Sequence, residues 1–194
     1  MARLMKSSPH SIVATILLAT LALAACQSGS RRLASLYEEL GHEVAAADPI
    51  KGPGPEIAEH NVRRADAVRE LLAGDSVNTA EEHFKAAVLL VETTRQDDLE
   101  LAEHHALVSA EMGEKRGLRV AAEAVDKRLM LTGKPQKYGT QFVFEWVLDS
   151  WRLYPCDVTT SDGERAQLGV PTYAELMRAE DDMNRTHGKK LRPH

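Results

Sequence analysis

The chain has 194 residues, 43% hydrophobic and 27% charged, with 24 basic against 29 acidic side chains and a formal net charge of −5. That length suits one ordinary domain, and the composition excludes a disordered tail, a collagen-like rod and a multi-span membrane protein. The acidic balance argues against a general nucleic-acid binder, because phosphate backbones call for a positive surface, and two cysteines cannot build a disulfide framework.

Arg3 and Lys6 make a basic start with no acid near them. An apolar run follows from Ile12 to Ala25, broken only by Thr15 and Thr20. It is short for a bilayer span, which needs about 20 residues. The run ends in Leu23-Ala24-Ala25-Cys26. Basic start, apolar run, small residues and cysteine in this order resemble the signal and lipobox of bacterial lipoproteins. The resemblance implies that residues 1–25 are a signal peptide, removed as Cys26 receives a diacylglyceryl group. Acyl chains, palmitate among them, would then hold the protein in the bilayer of the cell envelope. Two or more chains anchor stably, at about 0.8 kcal/mol per buried CH2, where one does so only marginally. Gln27, in place of the aspartate that retains such proteins in the inner membrane, implies the outer membrane facing the periplasm in a Gram-negative cell. Processing also leaves the mature chain two charges more negative than −5. Cys156 then has no second thiol to pair with and reads first as a small buried hydrophobe, and otherwise as a free thiol in an oxidising compartment.

Residues 26–30 read as a lipidated tether, flexible from Gln27 to Ser30. Residues 31–184 read as a single mainly helical domain, and 185–194 as a disordered basic tail. A first helix is predicted over Arg31–Leu40, with Leu33, Leu36, Tyr37 and Leu40 on one face and Gly41 at its end. Three prolines and two glycines make Glu43–Pro55 a loop, and Pro55 suits the first turn of a helix reaching Ala73. Its inward residues are predicted as Ile57, Val62, Ala65, Val68 and Leu72.

Thr79-Ala80-Glu81-Glu82 fits a capping box for a helix ending near Val91. Asp97 and Asp98 open the next helix, where negative charge suits the N-terminal dipole. Ala102, Ala106, Ser109 and Ala110 face inward, and Gly113 stops it. A further helix is predicted over Lys115–Leu131, closed by Gly133. These last two form an alanine-lined antiparallel hairpin, similar to the helix pairs of tetratricopeptide-type proteins, with no second copy at a fixed period.

Six of the chain's nine Phe, Trp and Tyr residues lie between Tyr138 and Tyr154. Phe142, Phe144 and Trp146 alternate with Val143, Glu145 and Val147, which is strand periodicity. Asp149-Ser150 is predicted as the turn and Trp151–Tyr154 as the returning strand. A short helix over Asp162–Gln167 and a final one from Thr172-Tyr173-Ala174-Glu175 to Asn184 complete the chain. The expected fold is therefore mainly α, packed antiparallel helix hairpins with a small C-terminal β-hairpin.

Gly133-Lys134-Pro135-Gln136-Lys137-Tyr138-Gly139-Thr140-Gln141, preceded by Asp126-Lys127, is the most distinctive segment. It resembles a bacterial domain family of unknown function marked by G-x-P-Q-x-Y-G-T-Q after an Asp-Arg pair, with Lys127 here replacing the arginine. The resemblance runs from about Thr79 to Ala179 and implies no particular reaction. It places the family's histidines near Lys85, Glu92 and Glu103, so an activity relying on them is not implied here. Read from the residues, the loop has two accounts. In one, Gly139 and Pro135 shape a turn while Gln136 and Gln141 satisfy backbone ends. In the other, Gln136, Tyr138, Thr140 and Gln141 line a pocket, with Lys134 as an anion contact and Asp126 nearby.

His104-His105 cannot both ligate one metal from a single helix face, since adjacent residues point about 100° apart. His83, after Glu81-Glu82, could converge on them only through tertiary packing, and a solvated polar face is the leading account. No phosphate loop, dinucleotide fingerprint, zinc spacing or nucleophile elbow occurs, so neither metal nor cofactor is expected. The leading expectation is a lipid-anchored interaction or ligand-binding module of the envelope, its partners the bilayer and an envelope protein. The alternative is an envelope enzyme, for instance a hydrolase, with its site at Gln136–Gln141.

Overall fold

The computed structural model describes residues 9–47 and 55–190, with side chains placed over 27–47 and 55–186. The predicted signal peptide and Cys26 therefore lie outside the described side chains, and 1–8, 48–54 of the predicted loop and 191–194 lie outside the described backbone.

Helix α1 (Pro9–Ala46) overruns both ends of the predicted first helix. Gln27–Ser30 is helical, so the expected flexible tether is corrected to an ordered turn of α1. At the other end Gly41 does not stop the helix. Glu43 continues the same face and receives Arg64 Nη2 at 2.7 Å. A tertiary ion pair thus outweighs the roughly 1 kcal/mol penalty of glycine inside a helix.

Helix α2 (Pro55–Ala73) has the predicted bounds, but its inward face is rotated. Asn61, Arg64, Ala65, Ala67, Val68 and Leu71 are buried, while Val62 is exposed. Helix α3 (Ala80–Val91) carries the capping box: Thr79 accepts from the Glu82 amide, and Glu82 accepts from that of Thr79. Helix α4 (Gln96–Glu111) buries Ala102, Ala106, Ser109 and Ala110 as expected. Helix α5 (Gly117–Leu131) returns antiparallel to it, with Arg128 pairing with Glu103 at 2.8 Å.

The α4–α5 seam is unusually tight. A Cβ added at Gly117 would sit 2.2 Å from both the Ala106 carbonyl oxygen and Ser109 Oγ. The core lies where α1, α2 and α5 meet α3 and α4, around Leu33, Val68, Leu89, Leu90 and Leu99.

Strands β1 (Phe142–Glu145) and β2 (Ser150–Leu153) pair antiparallel, Phe144 opposite Trp151. The turn falls earlier than predicted. Trp146, Val147 and Leu148 leave the strand and are 65, 89 and 60% exposed, with Asp149 at φ +50° before β2. Helix α6 (Asp162–Gln167) starts in a capping box from Ser161 to Glu164. Helix α7 (Tyr173–Lys190) continues past Asn184, so 185–190 are helical where a disordered tail was expected. Asn184 and Glu180 reach back to the Trp151 and Leu153 amides and hold the hairpin against α7. The fold is thus mainly helical with one small C-terminal antiparallel hairpin. Among the described residues no helix is long and apolar enough to cross a membrane.

Candidate functional site

The signature loop is organised around a carboxylate. Asp126 sits fully buried in the last turns of α5. Its Oδ1 accepts from the amides of Lys137 (2.7 Å) and Tyr138 (2.9 Å). Oδ2 accepts from the amides of Gly139 (3.0 Å) and Thr140 (2.9 Å) and from the Thr140 hydroxyl (2.9 Å). Four consecutive amides pointing at one point would suit any anion, and here the chain supplies it. Gly139 makes the turn possible, at φ +92° and with no room for a Cβ against Leu176.

Gln136 is equally internal. Its Nε2 donates to the carbonyls of Gln141 (3.0 Å) and Tyr154 (2.8 Å), and its Oε1 accepts from the Gln141 amide (2.9 Å). Its backbone bridges Pro155 and Asp157 on the far side. Gln141 Nε2 in turn donates to the Thr140 hydroxyl. Arg165 of α6, 1% exposed, braces the loop from outside by donating to the carbonyls of Tyr138 and Thr160. So Asp126, Gln136, Tyr138, Thr140 and Gln141 do come together, but mainly through bonds to one another and to backbone.

Lys134 does something different. It borders an open groove of about 580 Å³ with Lys137, Leu129, Pro135, Val158, Cys156 and Asp157. Cys156 is half-buried, and its thiol is pushed up, first by burial and then by Asp126 and Asp157, against the lowering effect of Arg165. That is the reverse of an activated nucleophile. Neither Cys156 nor the groove was legible as a site. The only local cue was Pro155 ending the hairpin beside a cysteine.

Lys85, Glu92 and Glu103 engage in ion pairs with Glu81 (3.6 Å), Lys127 (3.9 Å) and Arg128 (2.8 Å). Elsewhere Glu39, Glu43 and His60 bring ligand atoms within 4.8 Å of one another. The guanidinium of Arg64, 2% exposed, already pairs with both carboxylates, at 3.1 and 2.7 Å, and takes the place a cation would fill.

The histidines correct another expectation. His83 and His105 are not a solvated face. They meet across α3 and α4, Nδ1 to Nδ1 at 3.0 Å, with rings stacked 5.1 Å apart. One proton can be shared between them, whereas two would face each other. Burial, then the His83 and His104 rings, hold His105 down at about 4, and burial also lowers His83 against the pull of Glu82. The unfolded imidazole protonates below its ordinary value near 6.5, while the folded one resists until about 4. Stability should therefore be intact above pH 6.5 and fall as pH drops from 6.5 to 4. Allowing for the ring's partial exposure, the loss is roughly 1–2 kcal/mol. Urea titrations at pH 7.5 and pH 4.5, compared with His105→Gln, would measure it. Equal acid losses in both proteins would contradict this assignment.

Compared with known proteins, the chain matches no family model, no curated protein and no solved structure.

Proposed function

We propose that this protein is a lipoprotein of the bacterial cell envelope, anchored through acylated Cys26, whose helical domain binds a ligand or partner in the Lys134 groove. The anchoring rests on the basic start, apolar run and Leu-Ala-Ala-Cys sequence, in the order the lipoprotein pathway reads. One observation carries the binding reading: the loop is locked from inside by Asp126 and Gln136, and Lys134 is left at the rim of a groove. A rigid backbone that spends its polar side chains on itself and sets Lys134 beside Leu129, Pro135 and Val158, with Lys137 of the same groove paired to Glu164 at 3.7 Å, suits a ligand with an acidic group and an apolar body. The hydrolase reading draws no support from Cys156, whose raised pKa leaves the groove without an activated nucleophile.

A photo-crosslinker at Val158 in cells tests the binding reading. A discrete adduct, lost on Lys134→Glu in a protein of unchanged stability, is the expected result. Absence of adduct, or one indifferent to the charge reversal, would overturn it. Gln136 is unsuitable for this purpose, because truncating it unpicks the loop itself. The anchor is tested separately by Cys26→Ala, which should abolish lipid labelling and leave the precursor unprocessed by the lipoprotein pathway. Normal processing of that variant rules the anchor out.

A further inference from the structure

Among the described side chains, Gly29, three residues after Cys26, is the first that is buried. A Cβ there would lie 2.5 Å from Ser76 Cβ, so α1 meets the α2–α3 turn too closely for any side chain. The Ser30 hydroxyl donates to Glu82 at the start of α3, Arg32 pairs with Glu70 at 3.0 Å, and Leu33 is fully buried. Residues 29–33 are thus fastened to one end of the helix bundle.

Which end follows from the pairing of helices. Arg116, just before α5, reaches Glu81 in the first turn of α3 at 2.6 Å. Lys127, late in α5, reaches the carbonyl of Val91 at the end of α3 at 3.0 Å. Helices α3 and α5 therefore run parallel, and the attachment of α1 sits at their starting ends. The signature loop and its groove follow the finishing end of α5. With 15 residues in α5, the two ends stand about 22 Å apart at 1.5 Å per residue.

Resting on the acylation of Cys26 proposed above, we propose that the lipid holds the domain in one orientation. The end carrying the α2–α3 and α4–α5 turns rests on the bilayer, and the Lys134 groove faces away from it. Three residues, Cys26 to Ser28, separate the lipid from the first packed position. Even unravelled and fully extended they reach about 10 Å, less than half the length the tether would need for the domain to invert and set its groove end against the membrane. The surface set against the lipid includes Asp75, Asn78 and Lys115, with Met112, 49% exposed, as its apolar contact. A ligand of the groove then arrives from the aqueous side rather than from the supporting leaflet.

The test uses the full lipidated protein in vesicles of phosphatidylethanolamine and phosphatidylglycerol containing a headgroup-nitroxide lipid. In a Cys156→Ser background, a fluorophore is placed on Asp75→Cys or on Val158→Cys. Quenching is expected to be several-fold stronger at position 75 than at 158. Inserting a flexible Gly-Ser stretch of about 12 residues after Ser28 should erase the difference. Equal quenching without the insertion, or stronger quenching at 158, overturns the fixed orientation while leaving acylation standing. Protein that does not float with vesicles, or a Cys26 peptide without the lipid mass, overturns the acylation and the orientation with it.

Discussion

Replacing Asp126 by alanine is expected to cost about 3–5 kcal/mol and to release the loop from Lys137 to Thr140. The side chain is fully buried and accepts four backbone amides and one hydroxyl at 2.7 to 3.0 Å. Removing it leaves four amides and a hydroxyl facing a small void, and each unsatisfied buried group costs about 1–3 kcal/mol unless water enters. Partial hydration of the gap is why the total falls below the sum. Asp126→Asn should lie between, since its amide nitrogen cannot accept from the amides it faces. Urea unfolding gives the stability, and hydrogen exchange at residues 137–140 gives the local release. An alanine variant within 1 kcal/mol of wild type, with those amides still protected, would refute the clamp.

Arg165→Met is the second large effect, expected at about 2–4 kcal/mol. Methionine keeps the unbranched apolar stem but returns nothing to the carbonyls of Tyr138, Thr160 and Asp157. Lysine should rescue little, because one ammonium cannot reproduce a planar fork serving three acceptors. The two sites should also be coupled. Asp126 takes the amide of Tyr138 while Arg165 takes its carbonyl, so both hold the same residue. A double-mutant cycle should give an interaction of at least about 0.5 kcal/mol. Strict additivity would mean that the loop is held by each side alone.

How far the sequence reaches depends on whether a signal is local. Pro55, the Thr79–Glu82 box and the glycines after α4 and α5 act on their own neighbours, and the helix bounds they predicted stand. Gly41 was misread because what carries α1 past it is Arg64, on another helix. The hairpin turn was misplaced because Trp146 and Val147 continue the alternation of β1, and nothing in the pattern marks where pairing stops. Asp126 was singled out as a candidate ligand contact, yet its partners are amides 11 to 14 residues onward, which periodicity cannot reveal. The His83–His105 pair did leave a trace. The two residues are equidistant from Thr94, as partners across an α3–α4 hairpin must be. Reading the register of the hairpin, rather than each helix alone, would have found it.

The alanine-rich seam between α4 and α5 has a consequence for how this protein can change. Ala102, Ala106, Ser109, Gly117, Ala121 and Ala122 bring two backbones together with almost no side chain between them. Such residues lose little rotamer freedom on folding, so the seam is cheap in entropy though modest in apolar area. They are also already at the small end of the scale. Truncation finds almost nothing to remove at these positions, while any enlargement, starting with Gly117→Ala itself, would force the helices apart at a cost of about 1–3 kcal/mol or more. Tolerance along the seam runs in one direction only, and variation must enter the molecule elsewhere: at the exposed hairpin tip, and around the groove.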